Sequence, residues 1–259
     1  MTSSDNTNTV SSSSTPDHYA QREAFTQSLL RWQSESPTYG LGSALSPTTP
    51  GAPVMPVSPA QALSDIIRVA GARMPLWDQR RLTGAAHATH ASERPTEQGA
   101  SFYTNVAIMN LISHAIEERI IAERRPCDIY AGFQRLALVR PQLRRYRALS
   151  EVTRYVYLFG IDDSAGDADI HTLGPGVTLR FDIKPELGTG LEHFWFVVVD
   201  DPRMPTALLA QHTEGDIWSP RQATRSFTGV WTFDRALVSQ IIAILRRGAR
   251  ILYYNNPAA

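Results

Sequence analysis

The chain has 259 residues, enough for one domain with a full core plus tails, and its 25 acidic side chains balance 25 basic ones. That balance excludes a global field that would recruit nucleic acid or an anionic membrane. A single cysteine, Cys127, excludes an internal disulfide framework and a cysteine-built zinc cluster.

Residues Met1 to Pro16 are Ser, Thr and Asn with little to bury, and are expected to be disordered. They carry neither the basic nor the apolar region of a signal peptide. The most continuous apolar run, Phe194 to Val199, is too short to cross a bilayer, so a soluble, cytoplasmic protein is expected. Between Asp17 and about Glu35, Phe25, Leu29 and Trp32 fall on one helical face. A Pro, Gly, Ser and Thr-rich stretch from Ser36 to Pro56 follows, which makes residues 1–57 a flexible tail carrying a short amphipathic helix. That helix either packs back on the domain or docks a partner.

The domain proper is expected over 58–254. Ser58 followed by Pro59 predicts the N-cap and first turn of a helix to about Arg73. Thr83 to Ala100 is a polar, Ala-rich loop, and His87 and His90 within it have no fixed backbone to build a metal clip. Thr104 is expected to cap a helix to about Arg124 with an apolar stripe of Ile108, Leu111, Ile112, Ala115, Ile116 and Ile120. Pro126 ends it, and Cys127 to Phe133 reads as a short buried strand, with Cys127 a small core residue.

Pro141 should open a helix to about Val152, followed by a strand from Tyr155 to Ile161. An acidic loop, Asp162 to His171, leads to strands Val177 to Ile183 and Glu192 to Asp200. The turn Pro185 to Gly190 between these two predicts an antiparallel hairpin. Met204 to Gln211 reads as a short helix. In Arg225 to Phe233, alternation predicts a strand whose Phe227, Gly229, Trp231 and Phe233 share a core-facing side. Asp234 should cap a last helix from Arg235 to about Arg247. These elements give a mixed α/β fold: about five strands in a mixed sheet, helices packed on its faces, and one β-hairpin.

Three constellations could carry chemistry. His114, Glu117 and Glu118 share a helix at spacings that bring the imidazole beside both carboxylates, a pattern for a metal or a shifted histidine, against a plain hydrogen-bonded pair. Arg140, Arg144 and Arg147 share an outer helical face that suits a phosphate, a cyclic dinucleotide or an acidic partner, against a merely solvated surface. Asp200, at a strand end, is placed to border a ligand crevice. The acidic loop with Asp162, Asp163, Asp167 and Asp169 lacks the order of a calcium loop, and no nucleophile elbow or phosphate-cradling Gly-rich loop is present.

Four segments carry a further signal: Ile112-Ser-His-Ala-Ile-Glu-Glu118, Tyr130-Ala-Gly-Phe-Gln134, Tyr155-Val-Tyr-Leu-Phe-Gly160, and Arg225 to Asp234 with the helix after it. Their types and order resemble the DICT domain, a sensory module found beside diguanylate cyclases and in two-component systems. The resemblance implies a non-enzymatic, stand-alone sensory or adaptor module of bacterial signalling, without a metal. It would bind a small ligand or a separate cyclase, kinase or regulator; the arginine face would suit an anionic ligand, and the charge balance and short apolar runs leave neither DNA nor membrane as expected partner. It also directs attention to the His114 face and to Gln134, while no residue pattern names a cofactor. Two other readings stay open: a metal-dependent hydrolase using His114, Glu117 and Glu118, and a scaffold binding through its N-terminal helix.

Overall fold

The computed structural model describes residues 57–77, 99–163, 173, 177–218 and 224–254, all within the compact unit spanning 44–259. The tail helix expected at 17–35, most of the polar loop near 83–100 and most of the acidic loop after Asp163 lie outside the described residues.

Four α-helices are described. Helix α1 (Pro59–Gly71) begins where the Ser58 side chain accepts from the Gln61 amide at 3.2 Å, with Pro59 in the first turn. Helix α2 (Val106–Glu123) is capped by Asn105, whose Oδ1 accepts from Ile108 N at 3.2 Å, and it ends at the left-handed Arg124. A 3-10 segment (Leu136–Gln142) containing Pro141 precedes α3 (Leu143–Val152). Helix α4 (Arg235–Tyr254) starts at Asp234, whose Oδ1 accepts from Leu237 N at 2.9 Å.

Eight strands form one sheet: β1 (Leu76–Trp77), β2 (Gly99–Asn105), β3 (Asp128–Arg135), β4 (Tyr155–Ile161), β5 (Val177–Asp182), β6 (Phe194–Asp200), β7 (Thr206–Glu214) and β8 (Ser226–Thr232). Their order is β1-β2-β8-β7-β6-β3-β4-β5. The run from β2 through β3 is antiparallel, while β3, β4 and β5 are parallel. Helices cover both faces, as a parallel half buried on two sides requires. On one face Met109, Ile112, Ile116 and Ile120 of α2, with Tyr146 and Leu149 of α3, pack on Ile129, Val156, Leu158, Val197 and Phe227. The other face is closed by α1 and α4, through Leu63 and Ile67 and through Val238, Ile241, Leu245 and Ala249. Its strands contribute aromatic rings, among them Tyr130 stacked on Tyr157 at 4.5 Å and Phe159 on Phe181 at 4.8 Å.

The mixed α/β class, the helix-covered faces and the ends of β4 agree with the sequence pattern. Other expectations are corrected. The sheet has eight strands instead of about five, because the short or unobtrusive β1 and β2 extend it and β7 stands where a helix was expected. Thr104 is a buried residue of β2 and Asn105 is the cap. Met204 to Gln211 is no helix. Ala207 to Ala210 are all buried in β7 between β6 and β8, and such a continuous apolar run has no period to separate strand from helix.

The expected hairpin does not form either, since β4 and β3 lie between β5 and β6. The intervening chain makes two 3-10 turns, with Gly188 at φ 63° and Gly190 at φ 66°, and so cannot fold the strands directly onto each other. The tight antiparallel connection is instead that of β6 to β7. Leu111 and Ala115 are exposed on α2, while Ser113 and Glu117 are buried in their stead. Helix α4 continues past Arg247 because Ala249 and Leu252 still face the core.

Candidate functional site

Glu117 sits on the inward face of α2, and its side chain is only 2% exposed. Burial of an ionised carboxylate demands partners. Two neighbours on α3 supply them: Arg145 donates through Nε to Oε2, and the Tyr146 hydroxyl donates to Oε1 at 2.6 Å. Burial pushes the Glu117 carboxyl above the ordinary carboxylate range, against the opposing pull of the Arg145 charge and the Tyr146 hydroxyl. Burial, then the Glu117 charge, drives the Tyr146 phenol well above its usual range. The triplet clamps α2 to α3.

Beside this clamp lies a cavity of about 160 Å³. Its floor is Ala131, Gly132, Phe196 and Val197 of β3 and β6, and its sides come from α2, the 3-10 segment and α3. Apolar groups dominate: Val106, Phe133, Leu138 and Trp195. Polar groups reach it from Asn110, Ser113, Glu117, Gln142 and Arg145. Trp195 Nε1 donates to Ser113 Oγ at 3.1 Å, which fixes the indole as one wall. The Phe133 ring meets Tyr146 edge-on at 5.2 Å.

The sequence-derived site residues are dispersed. Of the trio His114, Glu117 and Glu118, only Glu117 lines the cavity. His114 lies one position around the helix, half-buried, with its Nε2 left without a hydrogen-bond partner, and burial and then Arg145 lower its pKa. Glu118 is exposed. Among the described residues no three His, Cys, Asp or Glu side chains come together as a metal site would require. The metal-site pattern therefore has no geometry behind it: spacings of three and four share a face only broadly, and here the buried carboxylate is committed to arginine and tyrosine.

Gln134 is buried, but away from the cavity. It takes a left-handed φ of 62° where the β3–β4 register shifts, and its Oε1 accepts from Arg225 Nη2. Arg225 is 1% exposed, lies 5.2 Å from the Phe227 ring centre, and has its pKa lowered to about 10 by burial and then by Arg135. Neighbouring Arg135 pairs with Asp163 at 2.6 Å and lies over the Trp218 ring at 4.8 Å. These contacts brace the carboxyl end of β3.

Arg140, Arg144 and Arg147 are all exposed, Arg140 in the 3-10 segment and the other two on the outer side of α3. Asp200 pairs with Arg246 of α4 at 2.9 Å, and the same guanidinium donates to Tyr130 OH at 2.9 Å. Because β6 runs antiparallel to β3, Asp200 lies opposite Asp128, at the amino ends of the parallel strands. The crevice rule concerns their carboxyl ends, so Asp200 borders no such crevice. Cys127 is buried and its thiol is pushed up to about 12 by burial, which leaves it inert.

Sequence reasoning missed Ser113, Arg145, Tyr146 and Trp195 as site residues. One signal was there: Ser113 and Glu117, at i and i+4, sit on the same side of α2 as Ile116 and Ile120, in a stripe otherwise apolar.

No helix among the described residues is long and apolar enough to cross a membrane. Residues 85–213 match the family model DICT, described as a sensory domain in diguanylate cyclases and two-component systems. The matched span contains three of the four resembling segments, and the fourth, Arg225 to Asp234, lies beyond it. No curated protein and no solved structure matches the chain.

Proposed function

Since residues 85–213 of this chain are a DICT domain, a sensory domain of signalling proteins, we propose that the chain is a non-catalytic sensory or adaptor module whose input is a small ligand held in the α2–α3 cavity. The observation that carries this reading is the shared helix. The inner side of α3 supplies the Arg145 and Tyr146 contacts beside the cavity, while its outer side presents exposed Arg144 and Arg147. A ligand that favours one arrangement of α3 over another shifts the population of that arrangement by its differential affinity. The basic outer side would then report the shift to an acidic surface of a separate cyclase, kinase or regulator.

Native mass spectrometry on the full chain tests the input. A small molecule should leave the wild-type protein on denaturation and be absent from the folded variant Val106→Phe, whose ring enters the cavity. If neither protein retains a molecule, and a broad metabolite collection stabilises the two proteins alike, the cavity is not an input site.

A further inference from the structure

The walls of the cavity also restrict what it can hold, and the following rests on the cavity being the input site. Size is the first restriction. Pockets for drug-sized ligands occupy roughly 300–1,000 Å³, whereas this one measures about 160 Å³. An engineered apolar cavity of ~150 Å³ takes benzene. The space therefore suits a compact molecule of roughly six to ten non-hydrogen atoms, on that comparison, and is too small to enclose a nucleotide or cyclic dinucleotide.

Charge is the second restriction. The acidic and the basic side chain on the wall, Glu117 and Arg145, already pair with one another. A ligand carboxylate would lie beside Glu117 and a ligand ammonium beside Arg145, each losing its water without a free counter-charge. Chemistry is the third. Trp195, Phe133 and Leu138 offer ring and aliphatic contacts. Ser113 Oγ accepts from Trp195 Nε1 and retains its own proton to donate, and the Asn110 amide reaches the same space.

We propose that the ligand is an uncharged, compact, largely apolar molecule, ring-shaped or branched, carrying one hydroxyl or carbonyl oxygen that accepts from Ser113. Phenol and benzyl alcohol represent the class. Toluene lacks the oxygen, while benzoate and benzylammonium add a charge to the same frame.

Calorimetric titration of the full chain with these five probes tests the proposal, using wild type, Val106→Phe, Leu138→Phe and Ser113→Ala. Circular dichroism and melting curves confirm that each variant is folded, and two filling variants guard against one that fails. Phenol and benzyl alcohol should bind saturably to wild type and lose binding at least tenfold in a filled variant. Ser113→Ala should weaken them about fivefold, the worth of one neutral hydrogen bond, and leave toluene unchanged. Benzoate and benzylammonium should bind at least tenfold more weakly than benzyl alcohol. Preference for a charged probe, lost on filling the cavity, would overturn the proposed class while leaving the cavity as the input site. Binding of no probe, or binding indifferent to both filled variants, would overturn it outright. The mass-spectrometric result above decides separately whether the cavity holds any ligand.

Discussion

Replacing Tyr146 by Phe removes one oxygen and almost no volume, so it isolates the hydroxyl that holds Glu117. Tyr146 is 1% exposed, and its bond to Glu117 Oε1 is 2.6 Å long. Hydrogen bonds to charged groups contribute about 1.5–3 kcal/mol. A loss of about 2 kcal/mol corresponds to a fall in Tm of about 4–8 °C for a domain of this size. The effect must also depend on pH. Glu117 has its folded-state pKa above the ordinary 4.5, so between the two values the folded protein holds the additional proton. The stability this group contributes is full below the unfolded pKa and is lost as pH rises through the raised one.

The groups acting on Glu117 are Arg145 and Tyr146 from α3 and Glu118 from α2. The Tyr146 hydroxyl favours the ionised carboxylate, so deleting it raises the Glu117 pKa further. The variant should lose more stability at about pH 8 than at about pH 4, below the ordinary 4.5, where protonated Glu117 makes less use of the donor. Urea unfolding at both pH values, with Glu117→Gln and the double variant, gives the coupling energy directly. Equal losses at the two pH values, or a coupling below about 0.5 kcal/mol, would mean that the clamp is only packing.

Three further outcomes are expected. Phe227 is fully buried while Trp231 is only partly so and keeps a buried indole N–H without a hydrogen bond, so Phe227→Ala should cost about 3–5 kcal/mol and Trp231→Ala clearly less. The reverse ranking in thermal denaturation would refute the assigned depths along β8. Deleting Met1 to Pro56 should preserve a single cooperative unfolding transition, since every described element begins after Val57; aggregation of the shortened chain would show that the tail belongs to the core. Reversing Arg144 and Arg147 to Glu should change stability by no more than about 0.5 kcal/mol. It should also abolish salt-sensitive binding of an acidic partner segment or a cyclic dinucleotide at that surface, and equal calorimetric heats for wild type and variant would mean that α3 presents only solvated charge.

The elements legible in the sequence were those whose evidence is local. Strand β4 is a run of aromatic and aliphatic residues from Tyr155 to Ile161, and α1 announces itself with Ser58 and Pro59. Strand β2 was hidden because its pattern is written for a distant partner. Gly99 has φ 129°, and a Cβ there would lie 2.1 Å from the Trp231 carbonyl oxygen, so the position reads as loop unless β8 is already in view. Strand β7 was hidden by its own burial on both faces. The same distinction governs the site. His114, Glu117 and Glu118 looked like a cluster because helical spacing is local, yet their separation into clamp, rim and surface depends on α3 lying over one side of α2. The cavity itself arises where α2, α3, β3 and β6 meet, and no single segment carries its outline. Arg144 and Arg147 needed only the helix period to be placed, whereas Arg140, expected on the same helical face, lies in the 3-10 segment before α3.

The position of β8 has a consequence for how the chain is made. This strand lies between β2 and β7, and β2 joins the main sheet only through it. The ribosome releases β2 first and reaches β8 roughly 120 residues later, a wait of about 6–25 s at usual synthesis rates. Throughout that interval the nascent chain offers the open edge of β2, joined only near its end by that of β7 (Thr206–Glu214), to whatever else is nearby. A chaperone or partner that occupied this gap would meet the module before it is complete. A synthesis pause just upstream of Ser226 would lengthen the exposure and favour aggregation without altering a single residue of the finished protein.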